Sequence, residues 1–120
     1  MIFKSEKWEL DTDKITVRSI SDNKIYEFYT DQIRYHLHYS EEYAPKRLQK
    51  IVDNGNILEY LKKLELEVTN AVNEQTDIFM ADSKEYQIAL ESGNLIEVGK
   101  IGNLLREQAK KIVYSVMVYI

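Results

Sequence analysis

The chain has no cysteine. That excludes a disulfide scaffold, a thiol nucleophile, a zinc ribbon and a cysteine-held iron–sulfur cluster. It has one proline, four glycines and two histidines. A long apolar run is also missing: the longest, Ile112 to Ile120, is broken by Tyr114, Ser115 and Tyr119. A membrane-spanning helix needs about 20 such residues, so none is expected. Residues Met1 to Lys7 lack the apolar core and small-residue cleavage site of a secretion signal. Position 2 is isoleucine, which argues against myristoylation, and no C-terminal cysteine is available for prenylation. A cytoplasmic location is the expectation.

What is present fits a single domain over 1–120: 44% hydrophobic and 30% charged residues. A chain of this length buries about two-thirds of its unfolded surface and folds without a metal or a disulfide. Nine tyrosines stand against three phenylalanines and one tryptophan. The net charge of −4 conceals blocks. Residues 53–97 carry ten acids and three bases, whereas residues 98–120 carry four bases and one acid. A protein that bound nucleic acid over its whole surface would be basic throughout. The acidic middle either neutralises basic helices within the fold or meets a basic partner.

Strand-like patterning occupies the first third. Ile15 and Val17 alternate with Thr16 and Arg18, the cluster Ser21-Asp22-Asn23 turns the chain, and Lys24 to Tyr29 resumes β-branched and aromatic content. This predicts a hairpin within 1–33, with Trp8 to Leu10 as a third strand. Two strands alone are marginal in water, so the hairpin must lie on the helical remainder, 34–120.

Helical signals follow. Thr30-Asp31 is placed to cap a helix to about Tyr39, and Pro45 suits the first turn of a second, ended by Asn54-Gly55. From 56 to about 80, Ile57, Leu61, Leu64, Val68, Ala71, Gln75 and Ile78 mark a heptad-like seam. Asp82 or Ser83 caps a short helix to about Glu91, and Ser92-Gly93-Asn94 breaks it. A last helix from about Leu95 repeats the spacing through Val98, Gly102, Leu105, Ala109, Ile112, Val116 and Tyr119. The fold class expected is α+β, mainly α: an N-terminal β-hairpin packed on a helical bundle with a long antiparallel pair, 56–80 against 95–119. Gly102 would let the helices approach closely, whereas Gly99 has no evident reason and predicts a bend.

No constellation of catalytic residues emerges. His36 and His38 are two apart, so on a helix they diverge and cannot chelate one ion; both are expected at the surface or its boundary. Glu41-Glu42 and Glu65 with Glu67 lie in solvated, charged stretches. No nucleophile elbow, dinucleotide fingerprint or P-loop is present. No metal, cofactor or enzymatic activity is expected. The tyrosines remain: Tyr26, Tyr29, Tyr35, Tyr39 and Tyr43 fall within eighteen residues. Tyrosine combines a large apolar body with a polar end and is enriched at interfaces. The segment 116–120, apolar nearly all round, is expected to be buried under the hairpin or to form a homodimer contact.

From about Arg34 the chain resembles the TnpV family of small proteins encoded on transposons. The resemblance rests on Pro45, Leu48 and Ile51, then Gly55-Asn56-Ile57-Leu58-Glu59-Tyr60-Leu61, Ile78-Phe79-Met80, Ala89 to Asn94, Gly102-Asn103-Leu104 and Ala109 to Val113. The chain departs from it at Glu97, where the family has tryptophan, and at Lys110 and Lys111, where it has acids. The resemblance implies a mobile-element origin and a helical fold. The family has no known activity, so no catalytic residue carries over.

The function expected is therefore non-enzymatic: a small accessory or regulatory protein of a mobile element that works through protein contacts. The partner-binding residues expected are Tyr29, Arg34, Tyr35, His38, Tyr39 and Tyr43, with the acids Glu65, Glu67, Glu74 and Asp77. An anti-CRISPR-like inhibitor presenting those acids to a defence nuclease is the first alternative. A DNA-binding accessory factor using Lys46, Arg47, Lys50, Arg106, Lys110 and Lys111 is the second. No membrane association is expected, and direct nucleic-acid binding is not the primary expectation.

Overall fold

Four short strands open the chain: β1 (Ile2–Lys4), β2 (Trp8–Asp11), β3 (Thr16–Ser19) and β4 (Ile25–Glu27). They form an antiparallel sheet in sequence order. The expected hairpin is thus β3–β4 and the expected third strand is β2, but a fourth strand, β1, was not legible. Its register explains its place: Phe3 lies opposite Leu10, and Leu10 opposite Val17. All three are buried and make one apolar face, the period-2 alternation of a half-buried sheet. On the neighbouring register line Arg18 Nη2 meets the Glu9 carboxylate at 3.0 Å, which holds the Glu9 carboxyl below its usual range.

Turn geometry follows side-chain chemistry at one position and defies it at another. Asn23, between β3 and β4, takes the positive φ of 58° expected of a turn asparagine. Ile15 also has a φ of 58° and precedes β3 rather than beginning it. A β-branched residue in the left-handed region is strained. Ile15 is buried, and this burial offsets the backbone cost.

Five helices hold 66% of the chain. They are α1 (Asp31–Tyr43), α2 (Pro45–Asp53), α3 (Ile57–Asp82), α4 (Lys84–Glu91) and α5 (Leu95–Met117). The class is α+β, mainly α, as the pattern predicts. Pro45 starts α2, where a missing amide costs nothing. Gly55, at φ 77°, ends α2 with the Asn56 amide bonded back to the Ile51 carbonyl. The Ser83 side chain caps α4 through the Tyr86 amide. Two boundaries differ from expectation. Helix α1 runs four residues past Tyr39, and the Thr30 side chain makes no cap; its hydroxyl donates instead to the Glu65 carboxylate at 2.8 Å.

The computed structural model describes residues 1–120 as two compact units: Met1–Glu67 with Val118–Ile120, and Val68–Met117. In the first, α2 packs on β1 and β2, and Trp8 Nε1 donates to the Gly55 carbonyl at 3.2 Å. Its core joins Phe3, Leu10 and Val17 to Ile33, Leu37, Leu48, Val52, Ile57 and Leu61, all buried. In the second, Arg106 on α5 donates to the Asn73 side chain on α3 at 2.9 Å, and α4 packs along α5. A Cβ on Gly102 would lie 3.3 Å from Met80 Cε and 3.6 Å from a Tyr86 ring carbon, so this glycine does permit close approach. No helix is long and apolar enough to cross a membrane.

Candidate functional site

Helix α1 has two faces. Ile33, His36, Leu37 and Ser40 recur at three- and four-residue spacing and are buried. On the outer side lie Arg34, Tyr35, His38, Tyr39 and Tyr43, all exposed except the half-buried Tyr39. The three tyrosines gather around a fourth from the end of the chain. The Tyr35 ring stacks on Tyr119 at 6.3 Å between centroids, Tyr39 meets Tyr119 edge-on at 5.9 Å, and Tyr39 lies 4.8 Å from Tyr43. These are the preferred offset and edge geometries of aromatic pairs. The result is a four-tyrosine patch whose members keep partly open surface.

The other tyrosines of the segment do not join it. Tyr26 sits on the sheet, edge-on to Trp8 at 6.3 Å, with Lys24 and Lys62 ammonium groups 5.1 and 5.4 Å from its ring centre. Tyr29 stands apart at 79% exposure, its hydroxyl donating to the Glu27 carboxylate, which raises the phenol pKa. His38 is exposed and its Nε2 lies 3.2 Å from the Thr12 carbonyl, while Arg34 is exposed on α1.

Beneath the patch lies the group that sequence reasoning misplaced. His36 is fully buried, not at the surface or its boundary. Its Nδ1 is 2.8 Å from the Val118 carbonyl, and its Nε2 is 2.6 Å from the Tyr60 hydroxyl. A carbonyl only accepts, so Nδ1 carries the proton, and Nε2 accepts from Tyr60. Burial holds the imidazole pKa below its usual value and pushes the Tyr60 phenol up. Arg47 donates to Ser40 Oγ at 3.3 Å and to the Ile120 carbonyl. Two side chains from α1 and α2 therefore hold the last three residues and present Tyr119 to Tyr35 and Tyr39. Val118 is buried in this seat, its carbonyl held by His36 of α1. The signal for His36 was available in the spacing 33, 36, 37, 40, which marks one helix face. Nothing local pointed to residue 118.

The acids divide. Glu65 and Glu67 belong to the first unit, Glu74 and Asp77 to the second. The Glu65 carboxylate accepts from Thr30, and Glu67 pairs with Lys63 at 3.8 Å. Asp77 lines an open cleft of about 570 Å³ in the second unit, with Asn73, Tyr86, Gly99, Asn103 and Arg106. A Cβ on Gly99 would meet nothing within 4 Å, so this glycine opens the cleft wall rather than serving a helix contact.

Chemically, the patch offers apolar ring surface and hydroxyl groups, the means of recognition. The His36 nitrogens are both committed to protein partners in a dry setting, so the imidazole positions the tail and has no free nitrogen for a substrate. No group of three or more His, Asp or Glu side chains converges as a metal site would require. In comparisons with family models, curated proteins and solved structures, nothing matches the chain.

Proposed function

We propose that this chain is a binding protein, not an enzyme, and that it works in the cytoplasm by docking a protein partner on the tyrosine patch of α1. The observation that carries this reading is the gathering of Tyr35, Tyr39, Tyr43 and Tyr119 into one partly open aromatic surface. Tyrosine supplies large contact area at low entropic cost, and such aromatics dominate the energetics of interfaces. Arg34 and His38 on the same helix offer polar recognition beside the rings. The setting, an accessory or regulatory protein of a mobile element, rests on the resemblance of residues 34–120 to the TnpV family.

The test is site-directed photo-crosslinking in producing cells, with a photoreactive residue at position 43 and a control at Asp22. A discrete protein adduct at position 43 is expected, suppressed by excess unlabelled chain but not by a Tyr35→Ser/Tyr39→Ser competitor. An adduct removed by nuclease, or one equally strong at position 22, overturns the reading; the first of these would favour contact with a nucleic-acid complex.

A further inference from the structure

The cleft of the second unit is the size of a small-molecule site, about 570 Å³. Glycine keeps it open. A Cβ on Gly99 meets nothing within 4 Å, so no packing contact accounts for a residue that costs a helix interior about 1 kcal/mol against alanine. The cleft accounts for it, since a longer side chain at 99 would occupy that space. Gly102 forms the adjoining wall, one turn further along α5.

Helical spacing orders the groups along it. Asn73, Asp77 and Met80 follow one another by single turns on α3, and Arg106, Asn103 and Gly99 do so on α5. Arg106 reaches Asn73 at 2.9 Å, and Met80 lies against Gly102, so the two helices run antiparallel. One end of the cleft is therefore rich in donors. Arg106 carries five N–H groups, and the Asn73 oxygen takes only one of them. Asp77 stands four residues from Asn73, about 6 Å along the axis. Beyond it, Met80, Val98 and the Tyr86 ring make an apolar end. Asp77 and Arg106 are the charged residues of the lining, and neither takes part in an ion pair. The cleft thus holds one anion and one cation, separated by about a helical turn and facing the same space.

We propose that this cleft binds a free α-amino acid with an apolar side chain. Arg106 and Asn73 hold the carboxylate, Asp77 takes the ammonium, and Met80, Val98 and Tyr86 surround the side chain. The charges of the lining sum to zero, which suits a zwitterion and disfavours a phosphate or a polyamine. The ligand's two charged groups share one carbon, and a hydrogen bond of about 2.9 Å at each end lets them bridge the one-turn separation. The site lies within the second unit and stands independently of the tyrosine patch.

The test is an amide NMR titration of the full chain with L-leucine, L-methionine and L-phenylalanine in turn. At least one should give saturable shifts, largest at residues 73–80 and 98–106. For the tightest binder, the analogue without the ammonium and the amide without the carboxylate charge should each bind about tenfold more weakly or worse. Asp77→Asn should weaken the amino acid by a similar factor and leave the analogue without the ammonium unaffected. Gly99→Leu should abolish binding with unchanged far-UV circular dichroism, because its side chain enters open space. Should that variant misfold, Asp77→Asn, at an exposed position, carries the test alone. No saturable shift with any of the three amino acids overturns the proposal. So does equal affinity for the analogue without the ammonium, or binding indifferent to Asp77→Asn.

Discussion

His36 shows how a single side chain ties a chain end to a helix, and its protonation sets a pH dependence. In the folded chain the imidazole pKa is lowered by burial, so the native state binds fewer protons than the unfolded state near and below the ordinary value of about 6.5. Stability is therefore full above about pH 6.5 and falls as pH drops towards the depressed value, with a slope approaching about 1.4 kcal/mol per pH unit. Unfolding followed by Trp8 fluorescence, which reports on the first unit, should show stability falling as the pH drops below about 6.5. The variant His36→Gln should be less stable at neutral pH but flatter across that window. An equal slope in both proteins would assign the pH dependence to other groups. Tyr60→Phe is the companion prediction. It leaves Nε2 of His36 without its donor in a buried place, and should cost about 1–3 kcal/mol in the same assay. A cost below about 0.5 kcal/mol would show that water or Ser40 Oγ, 3.5 Å away, replaces the hydroxyl.

Periodicity decided what could be read at the level of elements. Helix positions, the Pro45 start, the Gly55 stop and the Ser83 cap were all legible, because each depends on a few neighbouring residues. The seams were legible only in part. Strict alternation of four and three keeps step with a supercoiled helix, but a straight helix of 3.6 residues per turn drifts about 20° per heptad. On α3 the buried line follows the expected Ile57, Leu61, Leu64 and Val68, then moves to Val72 and Thr76, leaving Ile78 53% exposed. On α5 it reaches Val113 where Ile112 was expected. Urea unfolding followed by far-UV circular dichroism on dilute protein tests this: Val72→Ala should cost about 1–3 kcal/mol and Ile78→Ala under about 1 kcal/mol. The reverse order would restore the heptad seam. Gly99→Ala belongs to the same scale. A Cβ there enters open space within a helix, so the variant should gain about 0.5–1 kcal/mol. A loss would mean that the added methyl disturbs the cleft wall.

The division of the whole molecule was not written in any local pattern. Composition shows no linker, and the boundary between the two units falls at Glu67 and Val68, inside α3. Strand β1 escaped for a related reason: three residues carry little pattern, and their pairing with β2 depends on residues up to nine positions away. The last three residues escaped most completely, since Val118 is matched to His36 across 82 positions. Such pairings are chosen by packing, which a single sequence does not display. They also set how stability is distributed, because cooperative opening follows contact-dense units more than chain order. Val118 is fully buried in the first unit, so Val118→Ala should cost about 1–3 kcal/mol there. Native-state hydrogen exchange should show the loss in α1, α2 and the sheet, with amides of residues 84–105 keeping their protection, although 118 is far closer to them in sequence. A uniform loss across all 120 residues would instead make the chain one cooperative unit, with the boundary in α3 a feature of geometry alone.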